Sequence, residues 1–350
     1  MQKLLKTFDY CGLNYEILEL GEDWKLVVTQ HGGHVFGPFS DRYSEGIFWV
    51  PEAVKNPDSY KKLVDDQNWN TGGDRVWIAP EIQFNITQRK RFRETLNTPK
   101  IIDPGSFLME RSKNAVILRQ SIELESHNTV TGTIHVELGR TISNALNPLR
   151  KLPDYDILMQ NISYCGYGQV LDLAAESEQE IYAESWNLLQ IRPKGTLYIP
   201  MYRSLRGTDH YEPAGSHEYL AGHGVCLRIT GDSRYKIAYK SAVLTGRFGY
   251  LADEKDKESY LIIINYPNNP SAMYSEEPPL LEGDRGYSIH IYNDDGHSGG
   301  FAEMECNMQT IGRPTGLYHS IDHVTKWIYT GKTEKLRAIA EVLLGYRFES

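Results

Sequence analysis

Trp69-Asn70-Thr71-Gly72-Gly73-Asp74-Arg75-Val76-Trp77-Ile78-Ala79-Pro80-Glu81 gathers a diglycine, an acid–base pair, two tryptophans and a closing carboxylate into thirteen positions. Gly72 and Gly73 allow a sharp turn or a close backbone approach. Arg75 carries a rigid fork of donors, and Trp77 sets an apolar face beside it. Directional donors next to a flat apolar surface suit the hydroxyls and C–H faces of a sugar. The same residues also suit a tight turn in which Trp77 plugs a core while Asp74 and Arg75 pair at the surface. Composition alone leaves both open.

Outward from that stretch, the chain is long enough to bury a large core. Its 350 residues include 37 basic and 46 acidic side chains, a formal charge of -9. With no Lys/Arg-rich run, binding to nucleic acid by phosphate neutralisation is not expected. The 23 tyrosines suit strands and polar clefts alike. Cys11, Cys165, Cys226 and Cys306 are widely spaced, which indicates thiols in a reducing compartment rather than a disulfide framework. No stretch approaches the roughly 18 apolar residues of a membrane span, and the basic start Met1–Lys6 runs into Thr7, Phe8 and Asp9 without an apolar region. The expectation is a cytoplasmic protein that uses no membrane.

Most of the chain alternates with the period of strands. Two short runs around Gly21-Glu22-Asp23 predict a hairpin over 15–20 and 24–30, and alternation resumes over 34–39. A second hairpin is predicted over 106–111 and 115–124. Further strands are predicted over 129–138, 157–164, 182–190, 195–200, 225–229, 235–244, 260–266, 287–292, 301–308 and 321–329. So many strands at short intervals indicate sandwiches or barrels rather than βαβ units. Helix signals are few. Asn56 can cap a helix running to Leu63, and Leu336, Ile339, Ala340 and Leu343 share one face of a helix over 333–344 that ends at Gly345. No linker or repeat divides the sequence, so one domain over 1–350 is expected.

Glu303 and Glu305 lie two apart in a predicted strand and therefore project from one face. Adjacent carboxylates raise each other's pKa, which keeps one basic near neutrality, although a solvent-facing acidic strand has the same pattern. The loop Asn293-Asp294-Asp295-Gly296 is oxygen-rich but lacks EF-hand spacing and matches ordinary turn chemistry. His31 and His34 lack the HExxH arrangement of a zinc site, so no metal is assigned. No GxSxG, Walker or GxGxxG motif is present, and no cofactor is expected.

Gly32-Gly33-His34-Val35-Phe36, Phe48-Trp49-Val50-Pro51-Glu52 and the stretch 72–81 together resemble the galactose mutarotase-like superfamily, closest to its aldose 1-epimerase-related branch. Glu184-Ser185-Trp186-Asn187-Leu188-Leu189-Gln190-Ile191 and Tyr198-Ile199-Pro200 are similar to its central strands. The resemblance spans about residues 14–330, and only 72–81 is specific. It implies a mainly β fold, an antiparallel β-supersandwich with few short helices and a sugar cleft on one concave face. It also implies a Glu base, which Glu303 or Glu305 matches, and a His that protonates the ring oxygen. Where that His is carried, this chain reads Ser185-Trp186-Asn187-Leu188, and His34 is the nearest substitute in the motif set. Arg75, Trp77, Asp74, Trp186 and Glu81 are the expected substrate-binding residues.

The expected partner is a mono- or oligosaccharide. Three functions follow: an aldose epimerase or a hydrolase or lyase reusing the cleft, a carbohydrate-binding or sensing protein without turnover, and a structural protein without a ligand.

Overall fold

A computed structural model describes residues 1–252 and 259–348. The first hairpin forms where its turn chemistry places it. Tyr15–Gly21 pairs antiparallel with Trp24–Thr29, Tyr15 opposite Thr29, and Glu22 takes φ 47° in the turn. From this edge the first sheet continues through Val35–Phe39, Asp74–Ala79, Tyr182–Ile191, Ala302–Asn307, Tyr287–Asn293 and Tyr235–Lys240 to Thr208–Asp209. The second sheet runs Glu218–Ala221, Gly224–Ile229, Gly195–Pro200, Arg247–Ala252, Ser259–Asn265, His319–Gly331, Ser163–Glu176, Gly132–Asn144, Ala115–Ser126 and Leu108–Arg111. Neighbours pair antiparallel throughout both. The expected mainly antiparallel β fold is what forms.

Register decides which side chains meet between the sheets. Asp74 lies opposite Leu189, and Leu189 opposite Met304, so these three share the face that looks toward the second sheet. Tyr167, Leu171 and Leu173 come to meet them, with Lys326 opposite Tyr167. The interior is therefore apolar around one buried polar pin. Asp74 accepts from the Tyr167 hydroxyl at 2.6 Å and the Gln169 amide at 2.8 Å, and pairs with the Lys326 ammonium at 3.0 Å.

Helices sit outside the sheets. Thr333–Leu344 buries Leu336, Ile339, Ala340 and Leu343 against Leu251, Leu261 and Ile263 of the second sheet and stops at Gly345, φ 69°. Each such leucine contributes about 1.5–3 kcal/mol by leaving water. Asn56 caps Pro57–Asp65 by accepting from the Asp58 and Ser59 amides. Among the described residues no helix is long and apolar enough to cross a membrane.

Two local expectations fail, and one helix was not expected. The strand predicted over 157–164 is instead a short helix, Tyr155–Leu158, followed by a turn at Asn161 with φ 63°, and pairing begins only at Ser163. The strand begun at Tyr235 ends at Lys240, where Ser241–Val243 forms a 3-10 turn. An unpredicted helix, Gln2–Cys11, buries Leu4, Thr7 and Phe8 at helical spacing and ends at Gly12, φ 69°.

Candidate functional site

The diglycine that marks the stretch 69–81 serves the backbone. Gly73 takes φ 84° and passes so close to the neighbouring strand that a Cβ there would stand 2.5 Å from the Val35 carbonyl oxygen. Gly72, φ 97°, is similarly pressed against the Trp49 carbonyl at 2.8 Å. The strand Asp74–Ala79 thereby enters the centre of the sheet, and alternation sends Asp74 inward and Arg75 and Trp77 to the outer face. The ladder through Tyr182–Ile191 and Ala302–Asn307 carries Trp186, Glu303 and Glu305 on that same face.

A cavity of about 180 Å³ opens there, walled by Trp69, Trp77, Trp186, Tyr292 and Phe301. Trp77 stands edge-on to Trp69 and to Trp186, with ring centroids 5.4 Å apart in both pairs and interplanar angles of 86° and 84°. Its volume is below the ~300–1,000 Å³ of pockets for drug-sized ligands, so it has room for one small ring. A larger open groove of about 740 Å³ runs beside the N-terminal helix. Lys3, Lys25, Lys55 and Arg192 alternate there with Asp23, Asp41, Glu45 and Glu52, without a set of groups converging on one point. Trp77, Trp186, Glu81 and Glu303 line the smaller cavity.

Two carboxylates line that cavity, and each is held by its own cation. Glu303 Oε1 pairs with Arg75 Nη2 at 2.5 Å and accepts from the Gln190 amide at 3.2 Å. Arg75 is fully buried behind the wall, its guanidinium 5.1 Å from the Trp69 ring centroid and 4.7 Å from that of Trp77. Its Nε and Nη1 have no hydrogen-bond partner among the described residues. Glu81 Oε2 accepts from the Tyr211 hydroxyl at 2.6 Å and the Lys236 ammonium at 3.0 Å. Lys236 also lies 3.6 Å from Glu305 Oε2 and 4.6 Å from the Trp186 ring centroid. Trp186 Nε1 donates to Glu305 Oε2 at 2.9 Å.

Burial governs the protonation of this second group. Removal from water pushes Glu305 up to about 8; Lys236 opposes that shift, while the Glu303 and Glu81 carboxylates add to it. Glu276, whose side chain receives the Glu81 backbone N–H, is likewise raised well above the usual carboxylate range, by burial first and then by Glu81. Desolvation lowers Lys236, but Glu305, Glu81 and Glu276 together outweigh it and hold its ammonium above its ordinary value.

The expected site residues thus separate into groups. Trp77, Trp186, Glu81 and Glu303 line the cavity, with Arg75 and Glu305 directly behind it. Asp74 is not among them, because its place in the alternation commits it to the pin between the sheets. His34 does not reach the cavity either. Its ring is fully buried, Nδ1 lying 2.8 Å from the Gly72 carbonyl oxygen and Nε2 3.0 Å from Asp103 Oδ2. Asp103 also accepts from Trp77 Nε1 at 2.8 Å, so His34 braces the wall through one intermediary. In the loop 293–296 the Asp294 carboxylate accepts from the amides of Gly296 at 3.0 Å and Gly300 at 2.9 Å, as turn chemistry requires.

Sequence reading missed Lys236, Tyr211, Glu276 and Asp103. One signal was available. Lys236 sits in Tyr235-Lys236-Ile237-Ala238-Tyr239, and a lysine inside an apolar strand needs a buried partner. Glu276 and Tyr211 come from irregular segments, where no period points inward.

No family model matches the chain, and no curated protein does. Among solved structures, a protein from Synechocystis sp. PCC 6803 is similar at 12% identity and a TM-score of 0.49, covering 91% of this chain and 96% of that one. A galactose mutarotase-like protein from Clostridium acetobutylicum is similar at 9% identity and a TM-score of 0.45, covering 91% and 98%. An aldose epimerase homologue from C. elegans is similar at 8% identity and a TM-score of 0.43, covering 91% and 99%.

Proposed function

We propose that the cavity binds an aldose and that the protein interconverts its anomers, with Glu303 as general base. The observation that carries this is the pair of carboxylates, Glu303 and Glu81, lining a ring-sized cavity whose walls are three tryptophans. Tryptophan faces cover the C–H surface of a sugar, and two carboxyl groups can exchange protons with its hydroxyl and ring oxygens. Arg75 fixes the Glu303 carboxylate and lies against Trp69 and Trp77 of the same wall, with its Nη1 free of any hydrogen bond among the described residues.

In this reaction Glu303 removes the proton from the anomeric hydroxyl. The bond between the anomeric carbon and the ring oxygen breaks, and the ring oxygen takes a proton. The open aldehyde turns about its C1–C2 bond and recloses on the other face, with both proton transfers reversed. Exchange spectroscopy by NMR on a panel of aldoses tests this reading. Wild-type protein is expected to accelerate anomer exchange of at least one aldose, and Glu303→Gln to slow it by ~10²-fold or more with ligand-induced thermal stabilisation kept. Stabilisation by an aldose without any acceleration supports a binding protein instead. Neither effect with any aldose overturns the assignment of a sugar site.

A further inference from the structure

We propose that Glu81 is the proton donor to the ring oxygen, as the cavity-lining member of a buried cluster of carboxyl groups, with Glu276 and Glu305, around Lys236. This rests on the anomer-exchange reading above and supplies the acid that reading leaves unassigned.

Charge and position both point to Glu81. Three carboxyl groups, Glu81, Glu276 and Glu305, surround one ammonium, Lys236, and all four residues are buried. If every carboxyl were ionised, three negative charges would face one positive charge at largely buried positions, a state that proteins avoid by retaining protons. The retained protons belong to the cluster rather than to one residue. Glu305 Oε1 has no partner among the described residues, which for an ionised oxygen would leave a buried anion unsatisfied. The raised values of Glu305 and Glu276 agree with protons held there.

Of the three, Glu81 alone lines the cavity. Tyr211 and Lys236 both bond its Oε2, and Oε1 carries no bond among the described residues. The other titratable or charged groups near the cluster are Tyr211, Glu303 and Glu184, His290 and His210 near Lys236, and Arg234 in the cavity lining.

The step balances without a co-reactant. The anomeric O–H proton passes to Glu303, the C1–O5 bond breaks as the C1–O1 bond becomes double, and O5 takes the Glu81 proton. Ring closure returns both protons, and nothing is oxidised or reduced.

Anomer exchange in Glu81→Gln is expected to fall by ~10²-fold with aldose affinity kept. Wild-type exchange is expected to decline as pH rises and the cluster loses its proton, and Glu276→Gln to move that limb. Wild-type turnover in Glu81→Gln, with Glu303→Gln inactive, overturns this proposal and leaves the Glu303 reading standing. An unmoved limb in Glu276→Gln overturns the part given to the cluster in setting that limb. No exchange by wild-type protein overturns both readings. Infrared titration keeps the proposal testable should a variant misfold. At least one carboxyl of the wild-type protein should remain protonated at neutral pH, and complete ionisation overturns the cluster.

Discussion

Arg75 and Glu303 touch although their strands are not neighbours. Asp74–Ala79 and Ala302–Asn307 flank Tyr182–Ile191, and the 2.5 Å contact between Nη2 and Oε1 reaches over that central strand. Three strands are thereby tied on the face where the cavity lies. Because both groups are nearly excluded from water, removing Arg75 strands the Glu303 charge, while removing Glu303 leaves Arg75 only the 3.8 Å approach of Asp103.

Arg75→Met is therefore expected to destabilise the fold by about 3–5 kcal/mol, the range for breaking a buried ion pair. Adding Glu303→Gln should return a large part of that loss. Urea unfolding of wild type, both single variants and the double variant measures the coupling. Strict additivity would show that the pair acts as two independent groups.

The pin between the sheets should separate stability from ligand binding. Asp74→Asn leaves the fully buried Lys326 ammonium without its anionic partner, and a loss of about 3 kcal/mol is expected. Aldose affinity of the folded protein should stay near wild type, because the Asp74 side chain lies on the opposite face from the cavity. A selective loss of affinity at unchanged stability would reverse that assignment.

Backbone crowding makes a sharper test at the diglycine. In Gly73→Ala the new methyl meets the Val35 carbonyl oxygen at 2.5 Å with φ 84°, so the strand must move or the chain unfold. A lowered unfolding midpoint is expected even though the substitution adds one carbon. A midpoint within error of wild type would mean that the entry to this strand relaxes freely.

Two buried sets of groups give stability opposite dependences on pH. Glu305 titrates at about 8 in the folded protein against an ordinary 4.5, so the folded state holds the extra proton between those values. Its contribution is complete below 4.5 and is lost as pH rises through about 8. Glu276 acts in the same direction. His210 and His290, each held well below the ordinary 6.5 by burial, act oppositely. What they contribute is present above 6.5 and is lost as pH falls. Between pH 4.5 and about 8, the part of the slope of the urea midpoint that falls with rising pH should be absent in Glu305→Gln. A slope equal to wild type would exclude Glu305 as its source.

Strand alternation made much of this fold legible, because hairpins such as Tyr15–Gly21 with Trp24–Thr29 repeat every second residue around a recognisable turn. Asp74–Ala79 escaped that logic. All six of its residues are buried, so it shows no alternation between apolar and polar faces. Ser163–Glu176 was missed for a related reason, since Gly166, Gly168 and Gln169 interrupt its pattern while its long register is set by its neighbours. The two-residue spacing of Glu303 and Glu305 put them on one strand face, as the register shows, while the base role came only from the resemblance; Trp77 and Glu81 stood out by their dense motif. Residues whose role depends on a distant charge carry no local mark. Asp103 and Glu276 meet their partners only after folding, and the placement of His34 was decided by oxygens from Gly72 and Asp103.

The crossed tryptophans also give the protein an optical signature. Three of its six indoles stand at nearly right angles around the cavity, at spacings where their excited states couple. Lys236 lies against one of them and Arg75 against the other two, so any molecule that shifts those cations alters the light absorbed and emitted. Occupancy of the cavity can then be followed in the near-ultraviolet circular dichroism of the unlabelled protein, for ligands that themselves absorb nothing there.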